Sequence, residues 1–235
     1  MIFSKTKILF LRMGFRQSTG DPLVDEKTAD EFTLYMKKYT DLYNALSIIV
    51  QKHTTLSQPY ILDLGCGPGL LSVEILKQIP DATVIGIDPL MKMLKLAKEN
   101  TMSYSDHLFE AILGVSEKIP LKNQSIDTIV SRFSLPYWKH PQESFDEMNR
   151  VLKPRGIVIF EALNRDFPKW KLYGIKIGML LNHAGRDVTK YHVDAYALAY
   201  NQKEVKIFCK NAGFRILQKQ GKKKEWKFLI IAEKQ

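Results

Sequence analysis

Two cysteines in 235 residues, Cys66 and Cys209, leave no disulfide framework and no metal-ligand spacing, so a small cross-linked or zinc-built fold is excluded and a reducing compartment is expected. No apolar run approaches the ~18 residues that suggest a membrane span, and the expectation is a soluble cytoplasmic protein. Repeats and low-complexity segments are also missing. At the N-terminus no acid precedes Asp21, while Lys5, Lys7, Arg12 and Arg16 alternate with Phe3, Ile8, Leu9, Phe10, Leu11 and Phe15. That stretch reads as a weak membrane-surface contact over residues 1–16, or as an extra element packing on the domain. Its apolar core is too short for a secretory signal, which needs ~7 to 15 residues.

What is present is concentrated at Tyr60-Ile61-Leu62-Asp63-Leu64-Gly65-Cys66-Gly67-Pro68-Gly69-Leu70-Leu71-Ser72. A short β-rich run suits a strand buried on both faces. Glycines then permit positive φ and close approach of a ligand to backbone. From Leu70 the apolar spacing turns helical and stops before Pro80. Strand, turn and helix open a βα unit whose turn lies at the carboxyl edge of a sheet. A dinucleotide fingerprint, G-x-G-x-x-G, wants its third glycine where Leu70 stands; the spacing here is G-x-G-x-G.

The run Leu62 to Gly69 resembles motif I of the class I S-adenosylmethionine-dependent methyltransferases. Later landmarks of that family follow in order. Thr83 to Ile87 reads as a second strand ending at Asp88, roughly 20 residues beyond the glycines, where a carboxylate can hold a ribose diol or cap the next helix. Gly114-Val115-Ser116-Glu117-Lys118-Ile119-Pro120-Leu121 and Ser125-Ile126-Asp127-Thr128-Ile129-Val130 resemble the third and fourth strand ends of the menaquinone-type small-molecule subgroup (methyltransferase domain 11). Val115 replaces an aspartate that commonly meets the adenine. Glu147-Met148-Asn149-Arg150-Val151-Leu152-Lys153-Pro154-Arg155-Gly156 is similar to its E-x-x-R-V-L-K-P-G-G segment, with Arg155 where glycine is usual.

The resemblance implies an α/β, Rossmann-like, doubly wound, seven-stranded and mostly parallel sheet with an antiparallel last strand, an N-terminal helix and a helical insert after the fifth strand. Within one methyltransferase domain over 1–235 it implies an N-terminal helical extension over 1–58 and a cofactor-binding core over 59–163. A helical cap over 164–200 and a last helix with an antiparallel strand pair over 201–235 follow. The implied cofactor is S-adenosyl-L-methionine. Asp63 attracts its ammonium, directly or through the loop. Gly65, Cys66, Gly67 and Gly69 hold the methionyl part, Asp88 the ribose, and Pro89 and Met91 wall the adenine together with Val115, Ser116 and Glu117. Ser131 and Arg132 leave the fourth strand beside the reactive methyl, where Arg132 can hold a carboxylate of the cofactor or the acceptor. No metal is implied.

A proton must leave an oxygen or nitrogen acceptor, and His140, His183 and His192 are candidate bases; Tyr137 and Arg132 join them as candidate catalytic residues. Ala29 to Lys52 reads as one helix, from which Tyr35, Tyr39 or Tyr43 can face the site. Residues 1–163 balance 19 Lys and Arg against 19 Asp and Glu, whereas residues 164–235 carry 16 against 6. The basic half suits a small anionic acceptor, or else RNA or protein. No D/N-P-P-Y/F motif follows the fourth strand and no Pro-Cys pair exists, which disfavours base amino methylation and carbon-5 pyrimidine methylation. A small-molecule acceptor is the leading expectation; macromolecular methylation and a non-catalytic binding module are the rivals.

Overall fold

The computed structural model describes residues 26–104 and 108–235. The basic-apolar stretch over 1–16 lies outside them. Seven strands form one sheet: β1 (Tyr60–Leu64), β2 (Thr83–Asp88), β3 (Phe109–Leu113), β4 (Ile126–Arg132), β5 (Leu152–Leu163), β6 (Phe214–Gln220) and β7 (Lys227–Lys234). Their order is β3-β2-β1-β4-β5-β7-β6. The pairs among β1 to β5 are parallel, and β7 runs antiparallel between β5 and β6. This is the mostly parallel, doubly wound sheet with an antiparallel final strand that the motif order implies.

Alternation along the strands explains the two helix layers. Leu62, Ile129, Phe160 and Ile230 pack on one face with Phe145 and Phe208 from helices. Their neighbours Ile61, Val130, Ile159 and Ile231 pack on the other with Leu46, Val50 and Ile75. A strand whose successive side chains are all apolar must be covered on both sides.

Helices α1 (Glu26–Met36) and α2 (Thr40–His53) are separated by a 3-10 turn, Lys37–Tyr39, where the apolar spacing predicts one helix. The periodicity continues across the break, so spacing alone cannot reveal it. The break lets α2 pack on α3 (Leu70–Gln78), with Gln78 Nε2 donating to Asn44 Oδ1, while Phe32 and Met36 of α1 reach the carboxyl edge of the sheet. Next come α4 (Met91–Thr101) and α5 (Pro141–Val151). After β5, α6 (Lys169–Leu181) and α7 (Arg186–Leu198) form the insert, and α8 (Gln202–Asn211) opens with a capping box between Asn201 and Glu204.

Several landmark residues of the sequence are fastenings. Asp127 accepts the Tyr60 N–H at 2.9 Å and pairs with Lys153 at 2.7 Å, fixing the starts of β1, β4 and β5. Arg150 donates to the carbonyls of Ile119 and Leu121 while Glu147 accepts the Ile119 N–H. The E-x-x-R spacing thus clamps the β3–β4 connection onto α5. Arg155, where glycine is usual, sits at φ +62 with its side chain in solvent.

Candidate cofactor and acceptor site

The carboxyl ends of β1, β2 and β4 open onto a cavity of about 370 Å³. Its floor is the β1–α3 turn, with Gly65, Gly67 and Gly69 all at positive φ. Gly65 and Cys66 donate their N–H groups to the Ile87 carbonyl at 2.8 and 3.0 Å, and Gly67 donates to Asp88 Oδ2 at 2.9 Å. Three successive donors are therefore consumed inside the protein. A loop built to cradle a pyrophosphate turns such groups outward. A Cβ on Gly65 would lie 2.4 Å from Ser134 Cβ, so that glycine is needed for packing. A Cβ on Gly67 would meet open space, so that glycine leaves backbone bare toward the cavity.

Asp63 lines the cavity from beneath the turn at 1% exposure, and its Oδ2 accepts the Ser72 hydroxyl at 2.7 Å. Burial pushes its carboxyl up to about 7; Ser72 opposes the rise, the Asp88 charge adds to it and Arg132 opposes it. Asp88 accepts the N–H groups of Gly67 and Leu90, and burial raises it to about 6 against both bonds. Its bond to Leu90 spans two residues and makes a turn just ahead of α4, whose own cap position is Leu90. Each oxygen of Asp88 keeps a second lone pair for a ligand hydroxyl.

Along the next wall lie Pro89, Leu90, Val115, Ser116 and Glu117. Met91 is 48% exposed at the start of α4, and Met93, one turn face around, lines the cavity in its place. Ser116 Oγ meets Ser144 Oγ at 2.8 Å, and Glu117 accepts the His140 N–H at 3.0 Å. Val115 is 47% exposed. Cys66 lines the cavity as a buried thiol pushed well up by desolvation. Gly69 packs against Ala97 instead. Ser131 is buried and bonds Ser134 Oγ at 2.6 Å, leaving Ser134 to face the cavity.

Arg132, the last residue of β4, occupies the opposite end. Its guanidinium carbon lies 4.1 Å from the Tyr43 ring centroid and 4.5 Å from that of Phe133. Nε donates to Glu161 Oε2 at 2.7 Å, and Glu161 also receives Lys227. Arg132 and Glu161 are register partners at the ends of adjacent parallel strands. Phe133 holds the left-handed conformation, φ +56, that brings its ring back over the guanidinium. Nη2 is buried without a hydrogen-bond partner. Two cations thus share one carboxylate, and a buried donor remains to be satisfied.

The roof is aromatic. Tyr137 and Tyr191 stack at 5.1 Å, and Phe32 meets Tyr191 edge-on at 5.4 Å, joining the β4–α5 loop, α7 and α1. His192 lines the cavity with its pKa lowered to about 4, by burial first and by Arg132 second, so it is neutral at neutral pH. His140 also lines the cavity, at the cap position of α5. His183 lies at the exposed end of α6, away from it, and Tyr35 and Tyr39 bond each other while Tyr43 alone of the three lines the cavity.

Residues missed in the sequence are Phe32, Met93, Ser134 and Glu161. A carboxylate inside the otherwise apolar run Ile157 to Leu163 was a usable signal that a buried cation faces it. For Phe32 the helical spacing gave the face but not what the face covers.

The pattern of the methyltransferase-domain family matches residues 62–160. A malonyl-[acyl-carrier protein] O-methyltransferase of Halalkalibacterium halodurans is 34% identical over 109 residues, which are 45% of this chain and 40% of that protein. A ubiquinone biosynthesis O-methyltransferase of Histophilus somni is 27% identical over 175 residues, 71% of each chain. The crystal structure of an S-adenosylmethionine-dependent methyltransferase from Aquifex aeolicus superposes with a TM-score of 0.61 at 20% identity, covering 80% of this chain and 88% of that one. Residues 62–160 thus match the methyltransferase-domain family, and the fold around them is that of an S-adenosylmethionine-dependent methyltransferase of known structure. The cavity fits that cofactor: bare backbone at Gly67 allows close approach, and a carboxylate under the turn and another at the end of β2 are acceptors for an ammonium and for ribose hydroxyls. No helix among the described residues is long and apolar enough to cross a membrane.

Proposed function

We propose that this chain transfers the methyl group of S-adenosylmethionine to an oxygen, nitrogen or carbon atom of a small molecule that carries an anionic group. The observation behind the reading is Arg132 Nη2, a buried donor with no partner at the end of a roofed cavity. An acceptor carboxylate there satisfies the guanidinium and is held by a charge-assisted bond. When bound, the cofactor supplies a methyl already activated on a sulfonium, so the protein contributes mainly positioning.

In this reading Asp63 attracts the cofactor's ammonium from beneath the turn, and Asp88 accepts its ribose hydroxyls. Pro89, Leu90, Met93 and Val115 flank the adenine, with Glu117 beside them as acceptor. Rings of Tyr43 and Phe133 keep the Arg132 plane fixed before the acceptor arrives. His192, neutral and next to Arg132, is placed to accept the proton that an oxygen or nitrogen acceptor loses. His140 is the alternative on the opposite wall. The aromatic roof favours an acceptor small enough to pass beneath it over RNA or a folded protein.

Transfer of labelled methyl from S-adenosylmethionine to a size-fractionated cell extract tests this. Label is expected in small acidic compounds, with Arg132→Met losing it at least about tenfold while binding of S-adenosylhomocysteine stays within about threefold. Loss of S-adenosylhomocysteine binding in the variant would assign Arg132 to the cofactor's own carboxylate. Label in large RNA or protein would overturn the small-molecule reading.

A further inference from the structure

Helix α6 is apolar on two opposite sides. Met179 is buried, with Leu172 and Ile175 packed beside the core, whereas Trp170, Tyr173, Ile177, Leu180 and Leu181 are exposed, Trp170 at 71% and Leu181 at 74%. At 3.6 residues per turn the five exposed side chains fall within an arc of about 100°, facing away from the packed side. A helix that only covered its own domain would be polar there. Large exposed apolar side chains in one row mark a surface that something else covers.

Charge says what covers it. The helix contains no acid; Lys169 and Lys176 run along one edge of the arc and Lys171 along the other, with its ammonium 5.3 Å from the Trp170 ring centroid. Lys38 adds a further cation at the far end, donating to the Asn182 carbonyl at 3.0 Å. Two copies meeting through this face would bring like charges together along both edges. An anionic bilayer surface complements it: apolar side chains enter the acyl boundary, Trp and Tyr sit at headgroup depth, and lysines meet lipid phosphates. Thirteen residues are too few to span a bilayer, which needs ~20, so the helix lies along the surface.

We propose that α6 is a membrane-surface helix that docks the chain on anionic phospholipid. It is followed directly by α7, which carries Tyr191, His192 and Ala195 of the cavity wall. Docking therefore places lipid beside the helix that leads into the cavity roof, and an amphiphilic acceptor partitions into that lipid. The inference stands apart from the Arg132 reading, because a chain that binds lipid through α6 does so whatever its acceptor.

The test is co-sedimentation of the full chain with phosphatidylcholine vesicles, with and without phosphatidylglycerol. Binding is expected only with phosphatidylglycerol, weakening with salt, with brominated lipid quenching the emission of Trp170. The double variant Trp170→Ser, Ile177→Ser, changed only at exposed positions, is expected to keep its melting temperature and to bind at least about tenfold more weakly. Absence of vesicle binding overturns the proposal, and so does binding that the double variant leaves unchanged. A lipid-free dimer that the double variant dissociates, without vesicle binding, gives the face to a second copy and overturns it too.

Discussion

On the cavity floor, Gly65, Cys66 and Gly67 give their N–H groups to Ile87 and Asp88, whereas overhead Phe32, Tyr137 and Tyr191 meet ring to ring. The floor is backbone held by one backbone carbonyl and one carboxylate, so its shape follows mainly from where glycine can stand. The roof is made of side chains from three separate segments, and any of them can change without disturbing the sheet. A constant cofactor suits the first kind of construction and a particular acceptor suits the second.

The floor breaks most severely at Gly65. Gly65→Ala combines a left-handed φ of +77 with a Cβ driven into Ser134, and a loss of about 2 to 4 kcal/mol in denaturant stability is expected, together with loss of S-adenosylhomocysteine binding. Gly67→Ala, facing open space, should cost only about 1 to 2 kcal/mol of stability while still weakening the ligand. Equal stability losses at the two positions would erase the distinction between packing glycine and ligand-facing glycine.

Electrostatics of the floor give the next effect. Asp63 at about 7 and Asp88 at about 6 keep protons in the folded ligand-free site that the unfolded chain has already shed. Stability of the ligand-free chain therefore falls as pH rises from about 4 to about 7 and levels off above. In the proposed reading the cofactor's ammonium meets ionised Asp63, so its affinity moves the other way. Calorimetric titration with S-adenosylhomocysteine should show binding about tenfold tighter near pH 8 than near pH 6, and Asp63→Asn should flatten that dependence.

In the roof, Tyr191→Ala removes one stacked and one edge-on ring contact, and a stability loss of about 1 to 2 kcal/mol is expected. Methyl transfer to the acceptor should fall while cofactor affinity changes less than about threefold; a larger change in cofactor affinity would show that roof and floor act as one unit. The smallest effect lies far from both. Arg155→Gly relieves a left-handed φ of +62 at the cost of one weak exposed ion pair, and a gain of about 0.5 to 1 kcal/mol is expected from chemical denaturation.

These two kinds of construction also decide what the sequence discloses. Short continuous apolar runs and the G-x-G-x-G turn reveal the strands and the floor, because β-rich composition and positive φ are local properties of the chain. Asp127, Glu147 and Arg150 are legible as landmarks, although their contacts turn out to be fastenings of the frame. The 3-10 break at Lys37–Tyr39 is hidden because the apolar spacing runs on across it, whereas the meeting of Phe32 with Tyr191 and the sharing of Glu161 by Arg132 and Lys227 join residues far apart in the chain, where no local period reports them. Met91 and Met93 differ only in which way one helix turn faces.

The central claim is that the turn after β1 is shaped for a sulfonium amino acid nucleoside, with its first three donors spent inside the protein. Isothermal titration of the full chain with S-adenosylhomocysteine and, separately, with NAD tests it most directly. The account predicts one S-adenosylhomocysteine bound per chain and no heat from NAD. Saturable binding of NAD with none of S-adenosylhomocysteine would contradict it.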